Sequence, residues 1–174
     1  VSGSLDLEEI LGAALSKTMQ SLSIDVGAAC RLGESGRMLR LVVQEGLPPR
    51  LAEYMRCYAV EVSIAEQALK GGMPVVRQVS EYQDSEFRAL LEEAGLQVAI
   101  GVPLLAKGRM LGSLHLAMRR QRKMTDDELS LLGAIGRQVG VAMENARLYE
   151  QAEQVAATAE RSRLARELHD AVTQ

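Results

Sequence analysis

From Thr125 to the C terminus, the chain carries a helical pattern that nothing interrupts. Thr125 and Glu128 form a capping box of the kind that opens a helix. No proline follows Pro103, and no glycine follows Gly140. One helix over 125–174 would be roughly 75 Å long at ~1.5 Å per residue. The sequence therefore predicts a compact domain from which a single long helix projects.

Three glycines mark one face in the first half of this helix. Gly133, Gly136 and Gly140 recur at helical spacing, although each costs ~1 kcal/mol relative to alanine in a helix interior. We therefore expect another helix to approach this face closely. The candidates are the first helix of the chain, with its small segment Gly12-Ala13-Ala14, and the same helix of a second copy.

Beyond Tyr149 the apolar stripe narrows to a seam like that of a coiled coil. The seam consists of Ala152, Val155, Ala159, Ser162, Ala165, Leu168 and Val172. Its last steps depart from the heptad, which would strain the winding locally. So narrow a seam cannot hold the helix on its own domain, but it can pair with a second chain. It predicts a parallel homodimer, and a frayed helix end is the alternative.

The part of the chain before Thr125 alternates between helix and strand patterns. The predicted helices are Leu7–Leu22, Leu51–Tyr58, Ile64–Lys70, headed by a Ser63–Glu66 capping box, and Asp84–Ala94. The predicted strands are Val26–Leu32, Met38–Gln44, Pro74–Val79, Gln97–Ala106 and Met110–Met118. The last strand is apolar on both faces: Leu114 and Leu116 are predicted on one face, and Leu111 and Ala117 on the other. The sheet must therefore be covered on both sides.

Charge and composition exclude several classes of function. The chain has 20 Lys and Arg residues and 23 Asp and Glu residues, so it has no excess of positive charge for binding the phosphate backbone of a nucleic acid. Only 3% of its residues are aromatic, too few to form a platform on which bases could stack. We expect no nucleic-acid partner. The longest apolar run, Val98–Ala106, is shorter than the ~20 residues that cross a bilayer, so we expect no membrane contact. Cys30 and Cys57 are too few and too far apart for a zinc cage or a disulfide framework, which predicts no metal and a reducing, cytoplasmic location.

The end of the long helical pattern reads Glu167-Leu168-His169-Asp170, followed four residues later by Gln174. This segment resembles the E-L-H-D-x-x-x-Q phosphoacceptor box of sensor histidine kinases of the nitrate-sensor and lipid-sensor type. A neutral imidazole on an exposed helix is a nucleophile near pH 7, and an adjacent carboxylate can accept its other proton. The alternative is a surface histidine in a charged helix.

The resemblance implies a role for each residue of the box. His169 would be the phosphoacceptor, Asp170 the general base, and Gln174 would orient water for the phosphatase step. The implied partners are a response regulator and the ATP-binding domain of the parent kinase, which supplies ATP and magnesium. The sequence shows no glycine-rich phosphate cradle, so we expect that this chain alone does not phosphorylate itself. Because it begins at Val1 and ends within a helical pattern, we expect it to be a piece of a longer protein.

The upstream part is similar to a GAF domain. The blocks that carry this likeness are Gly101–Leu105, Gly112–Leu116, Thr125–Glu128 and Ala142–Tyr149. The resemblance implies an α+β fold: a six-stranded antiparallel sheet with helices on both faces, and a ligand pocket under the short helices. We divide the chain into a GAF sensory domain, residues 1–149, and a helical linker with the start of the dimerisation and phosphoacceptor domain, residues 150–174.

GAF domains bind cyclic nucleotides, bilins, haem or small anions, or nothing, and the sequence leaves the ligand unknown. The N-K-F-D-E signature of cyclic-nucleotide binding is absent, and Cys57, in a predicted helix, lacks the context of bilin attachment. His115 is more simply a hydrogen-bonded core histidine than a haem ligand. Tyr82 and Arg77 could bind a small anion, but solvated loop positions are the simpler interpretation. A methionine sulfoxide reductase would need Cys30 and Cys57 in one pocket, which is not expected.

The resulting prediction is a sensory input and phosphoacceptor fragment of a two-component sensor histidine kinase. Its GAF domain would sense a small ligand or a partner at a closed cavity opposite the terminal helices, and the long helix would signal to His169. The alternative is a GAF module without a ligand that serves only for dimerisation and relay.

Overall fold

A computed structural model describes residues 2–173 of the chain. The helices are α1 Ser2–Leu22, α2 Pro49–Met55, α3 Ala65–Gly71, α4 Ser85–Glu93 and α5 Asp126–Thr173. The strands are β1 Val26–Leu32, β2 Met38–Glu45, β3 Cys57–Ala59, β4 Val75–Gln78, β5 Val98–Ala106 and β6 Arg109–Met118. Short 3-10 turns span Val60–Val62 and Val79–Glu81.

Within the described residues, the strands form one antiparallel sheet in the order β3-β2-β1-β6-β5-β4. Helices α1 and α5 cover one face, where Leu15, Leu114 and Leu132 belong to one apolar cluster. Helices α2, α3 and α4 cover the other, where Leu51 and Phe87 belong to a second cluster. The predicted α+β fold, with helices on both faces and a long C-terminal helix, is confirmed.

Local chemistry accounts for several element boundaries. The main-chain N–H of Thr125 donates to the Glu128 carboxylate at 2.8 Å, and the N–H of Glu128 donates to Thr125 Oγ1 at 3.2 Å, so the predicted capping box opens α5. Lys107 and Gly108 both have positive φ in the tight turn between β5 and β6, as a two-residue hairpin requires. Gly72 ends α3 in the left-handed conformation.

The chain around Cys57 differs from the prediction. Helix α2 ends at Met55, and Cys57 lies in β3, which pairs with β2 at Met38–Arg40 rather than continuing the helix. The predicted Ser63–Glu66 capping box is also wrong. Ser63 Oγ instead accepts the N–H of Ala65 at 3.0 Å and donates to the carbonyl of Val60, so it stabilises the turn before α3.

A β-bulge corrects the prediction for Leu111. The register between β5 and β6 shifts between Leu104 and Leu105, where the partners change from Gly112 to Met110. Leu111 is the extra residue, and it packs with Leu114 and the α1–α5 cluster rather than on the face of Ala117. Both faces of the sheet are apolar, as predicted, but Leu111 lies on the face opposite to the predicted one.

Two of the three glycines of α5, Gly136 and Gly140, face a strand and not another helix, and a Cβ at Gly133 would lie 3.5 Å from the side chain of Pro74. A Cβ at Gly140 would lie 2.5 Å from the main-chain nitrogen and carbonyl carbon of Leu105, and one at Gly136 would collide with the carbonyl oxygen of Pro103. Nothing lies within 4 Å of a Cβ at Gly12 in α1. The expectation of a helical partner for this stripe is therefore wrong, because β5 occupies it.

Arg122 ties the start of α5 to the end of α1. Its guanidinium donates to the carbonyl of Leu22 at 2.9 Å and to the Glu128 carboxylate at 2.6 Å. Carbonyls in the last turn of a helix have no partner inside the helix, so a cation there satisfies one of them. The two helices that cover this face are thereby joined at one end by a single side chain.

Candidate functional site

A small cavity lies between the sheet and the short helices, on the side opposite α1 and α5. Its volume is about 30 Å³, room for roughly two water molecules. The sheet contributes small residues such as Ala28, Ala99 and Ala117, and the helices contribute larger ones such as Met55 and Phe87. A cavity of this volume is too small for a haem or a bilin. Its position agrees with the prediction from the sequence.

His115 is the central polar residue of this cavity. Strand β6 places it on the cavity face, where its Nε2 lies 2.8 Å from Tyr58 Oη and 2.7 Å from Ser113 Oγ. Burial lowers the pKa of His115 to about 4, so the ring is neutral at physiological pH. The predicted hydrogen bonding of His115 is confirmed, and the residue is partly rather than fully buried. The sequence does not reveal Tyr58 as its partner, because the two residues are 57 positions apart.

The two cysteines do not form a common site. Cys30 is buried beside Tyr58, with Sγ 3.9 Å from Tyr58 Oη. Burial raises the pKa of its thiol to about 12, against a smaller opposing effect of that hydrogen bond. The thiol is therefore protonated and a poor nucleophile. Cys57 is exposed on the edge strand β3, which agrees with the expectation that the pair cannot act together.

Tyr82 and Arg77 are brought together, but not as a solvated pair. Tyr82 is 2% exposed and lines the cavity, and the Arg77 guanidinium carbon lies 5.0 Å from the centre of its ring. This cation–π contact holds the cation against the aromatic face. Among the described residues that line the cavity, none carries a full charge, so the arrangement does not form an anion site inside it.

The predicted phosphoacceptor segment lies far from this cavity. Met143 is the last buried residue of α5, and the described residues from Gln151 to Val172 are all exposed. His169 and Asp170 belong to this exposed stretch, whereas Gln174 lies outside the described residues. The helix passes without a break from the sheet to His169. Its 48 residues correspond to about 72 Å.

Charged pairs and an apolar seam run along the exposed stretch. Arg163 pairs with Glu160 at 2.7 Å and with Glu167 at 2.5 Å, spacings that support a helix in water. The hydrogen bond from Arg163 lowers the pKa of Glu160. On the seam, Val155 is 70% exposed and Leu168 is 68% exposed. Nothing within the described residues covers these apolar side chains.

Two further observations concern metals and membranes. Within residues 2–173, no group of three or more His, Cys, Asp or Glu side chains is arranged to hold a metal ion. None of the helices in that range combines the length and the apolar character that crossing a bilayer requires.

Sequence comparison relates the chain to a known family and to a known class of protein. The family model of the GAF domain matches residues 4–144. The sensor histidine kinase YhcY of Bacillus subtilis strain 168 is 40% identical over 73 residues, which cover 42% of this chain and 19% of that protein. The match therefore spans about a fifth of the relative's length.

Solved structures of low sequence identity share the fold. A domain attributed to a two-component sensor histidine kinase of Sinorhizobium meliloti 1021 has a TM-score of 0.70 at 21% identity, covering 84% of this chain and 96% of its own. The GAF domain/HD domain protein of Geobacter sulfurreducens has a TM-score of 0.72 at 16% identity, with coverages of 84% and 97%. The second GAF domain of DevS from Mycobacterium smegmatis has a TM-score of 0.66 at 17% identity, and the match covers 84% of this chain and 99% of that domain.

Proposed function

The chain belongs to the GAF domain family, and on that premise we propose that it is the sensory input and phosphoacceptor segment of a two-component sensor histidine kinase. Its relation to a sensor histidine kinase of Bacillus subtilis supports this class of parent protein. In this proposal residues 1–149 sense a small ligand or a partner. Residues 150–174 form the linker and the start of the dimerisation and phosphoacceptor domain, working in the cytoplasm, where ATP is available.

One observation carries the proposal: a single helix both packs on the sensory sheet and presents the E-L-H-D sequence to solvent. Gly136 and Gly140 fix the first half of α5 against β5, and His169 lies on the exposed half. A phosphoacceptor must be reached by a separate catalytic domain and by a response regulator, so an exposed position of His169 supports this role. A change at the sheet then reaches the acceptor through covalently continuous backbone.

The chemistry assigned to the helix end is phosphoryl transfer to nitrogen. The catalytic domain of the parent, outside this chain, supplies ATP and magnesium. A ring nitrogen of His169 attacks the γ-phosphorus, the bond from that phosphorus to the bridging oxygen of ADP breaks, and the other ring nitrogen gives its proton to Asp170. Gln174 orients the water that later hydrolyses the phosphoramidate. A response regulator is the proposed recipient of the phosphoryl group.

The proposed working form is a parallel homodimer. The seam side chains Val155, Leu168 and Val172 are at least two-thirds exposed, and exposed apolar residues at coiled-coil spacing are buried when two such helices pair. The glycine stripe no longer supports this proposal, because its partner is β5. The seam beyond Tyr149 therefore carries the dimer proposal by itself.

The test is labelling in trans. The chain is mixed with the ATP-binding domain of its parent and radiolabelled ATP, and incorporation is followed with acid and base treatment. We expect a label that is lost in acid and stable in base, as a phosphoramidate is, and that is absent from His169→Gln. Equal labelling of the wild type and His169→Gln would overturn the proposal.

A further inference from the structure

The face of α5 that points away from the sheet carries a regular stripe of uncharged residues. This outer stripe consists of Leu131, Ala134, Gln138, Val141, Asn145 and Leu148, all of them exposed. Steps of three and four residues alternate along it, which is the heptad spacing of a coiled coil. The same alternation continues into the first part of the seam, which is Ala152, Val155, Ala159 and Ser162. One heptad stripe therefore runs from the sheet-packed half of α5 into its projecting half.

The outer stripe lies opposite the face of α5 that the sheet covers. Gly136 and Gly140 contact β5, and Met143 belongs to the apolar cluster between the sheet and the helices α1 and α5. Helix geometry places Val141 and Asn145 of the outer stripe about half a turn away from these residues. A helix packed on the outer stripe would therefore approach α5 from the side opposite to the sheet.

Exposed apolar side chains and the absence of charge distinguish the outer stripe from the rest of the helix surface. Leu131, Val141 and Leu148 are between 42% and 50% exposed. Seven charged residues occur between positions 131 and 162, and none lies on the stripe or on the seam: Arg137, Glu144, Arg147, Glu150, Glu153, Glu160 and Arg161. A long, uncharged and partly apolar face at heptad spacing is typical of a helix that pairs with another helix.

Two amide side chains of the outer stripe, Gln138 and Asn145, indicate which helix that is. Both take the a position of the heptad, and in a parallel, in-register pair each residue at a meets the same residue of the other chain. An amide both donates and accepts hydrogen bonds, so it can pair with its own copy. A shift by one heptad would leave Gln138 opposite Leu131 and Asn145 opposite Ala152, where those hydrogen bonds are lost. The pattern thus favours a second copy of the same helix in one alignment.

We propose that a second copy of this chain packs along the outer stripe, and that Gln138 and Asn145 fix the pair as parallel and in register. The inference rests on the homodimer of the proposed function and deepens it. Pairing through the seam beyond Tyr149 alone would leave the two GAF domains free to separate. Pairing along the outer stripe joins the GAF domains themselves through α5 and holds the two copies of His169 at the same height.

Disulfide cross-linking tests the outer stripe within the GAF domain. Single cysteines are introduced into the complete chain with Cys57→Ser, which removes the exposed native thiol, and the chain is oxidised by oxygen with a copper–phenanthroline catalyst. Val141→Cys lies on the stripe, whereas Arg147→Cys is also exposed but lies on another side of the same helix. We expect Val141→Cys to cross-link at least about tenfold faster, because a disulfide needs Cα atoms within about 7 Å of each other. Equal rates, or no cross-link at Val141→Cys, overturn the proposal.

Mixed cross-links test the alignment. A ¹⁵N-labelled chain with Val141→Cys is mixed with an unlabelled chain with Leu148→Cys, so the mass of each disulfide-linked pair shows which chains it joins. In register, these two thiols lie one heptad apart, about 10 Å along the helix. We therefore expect little mixed product, and mixed product as abundant as the two unmixed products overturns the alignment.

Valine substitutions in both chains test the two amides. With Gln138→Val and Asn145→Val together, one-heptad shifts no longer bury an amide against an apolar residue, so we expect the mixed product to rise at least several-fold. The control Gln154→Val with Ala157→Val adds two valines at exposed positions off the stripe and should leave the mixed product unchanged. No rise with the first pair of substitutions, or an equal rise with the control, overturns the role of the amides.

These measurements do not depend on phosphotransfer. No cross-link at Val141→Cys, with His169 still labelled, removes the inference and leaves the phosphoacceptor role. A cross-link at Val141→Cys with no label on His169 removes that role and leaves the interface. A cross-link at Val155→Cys but not at Val141→Cys removes the inference and leaves a homodimer held by the seam alone.

Discussion

Gly140 of helix α5 lies directly on the main chain of Leu105 in strand β5, with no room for a methyl group between them. A glycine in the interior of a helix is otherwise unfavourable. The stripe therefore sets the distance between helix α5 and the sheet.

Gly140→Ala tests this contact. The new Cβ would force the helix away from backbone atoms, which cannot move aside as a flexible side chain can. We expect the free energy of unfolding to fall by about 1–3 kcal/mol, as for other overpacked sites. The matched control is Gly12→Ala in α1, where a Cβ meets nothing and should add about 0.5–1 kcal/mol. Urea unfolding of both variants measures whether each substitution lowers or raises the free energy of unfolding. Stabilisation by Gly140→Ala would contradict the close contact.

The local elements of this fold were largely predictable, because their signals lie within a few residues. The Thr125–Glu128 capping box and the Lys107–Gly108 turn each depend on neighbouring side chains or backbone angles. Strand β3 was missed because it has three residues and exists only through pairing with β2. The face of Leu111 depends on a bulge, and one extra residue reverses the alternation that a sequence pattern assumes.

The candidate site was predictable only in part, and for the same reason. The helix-end residues form a contiguous motif, so the sequence alone proposes roles for His169 and Asp170, and those roles stay predictions. His115 was recognised as a core histidine, but its contact with Tyr58 joins a central strand to an edge strand 57 positions away. The partner of the glycine stripe was assigned wrongly because small residues indicate close approach without saying what approaches.

Stability should depend on pH through His115. Its pKa in the folded chain is about 4, against about 6.5 when unfolded, so the unfolded state takes up the proton first as pH falls. The contribution of His115 to the free energy of unfolding is complete above pH ~6.5 and is lost progressively toward pH 4. The free energy of unfolding should therefore fall by about 2 kcal/mol between pH 7.5 and pH 5. Urea unfolding at both pH values measures it. We expect His115→Asn, which cannot titrate, to lose about 2 kcal/mol less over this interval, and an identical loss would contradict the assignment.

Asp170→Asn should slow phosphorylation of His169 by roughly 10²- to 10⁴-fold, as loss of a general base does. The exposed position of Asp170 means that helix content by circular dichroism should not change. Glu153→Gln makes the same acid-to-amide change on the exposed stretch and should leave the labelling rate unaltered. An equal rate for Asp170→Asn and the wild type would assign the carboxylate no part in the transfer.

Gln174→Ala is predicted to separate two steps that share His169. Labelling from ATP should proceed at the wild-type rate, because the amide takes no part in nitrogen attack. Hydrolysis of the purified phosphorylated chain should slow, because water is no longer oriented. The half-life of the label after removal of ATP measures this step, and an unchanged half-life would count against the role of Gln174.

Val155→Glu tests the seam. A carboxylate at this 70% exposed position would face its own copy across a parallel dimer, where like charges repel. At ~100 μM, light scattering should give a dimer mass for the wild type and a monomer mass for Val155→Glu. Gln154→Glu adds the same charge one residue away, off the seam, and should remain dimeric. A monomeric wild type at that concentration would rule out the seam as a useful interface.

The unbroken run of α5 beyond Gly140 also makes the helix a lever arm. At ~1.5 Å per residue, His169 lies about 44 Å from the contact with Leu105. A tilt of about 5° around that contact would move the imidazole sideways by about 4 Å, more than the length of a hydrogen bond. A small tilt at the contact with β5 is thus magnified into a shift that, in the proposed function, brings His169 into or out of reach of an incoming phosphoryl group.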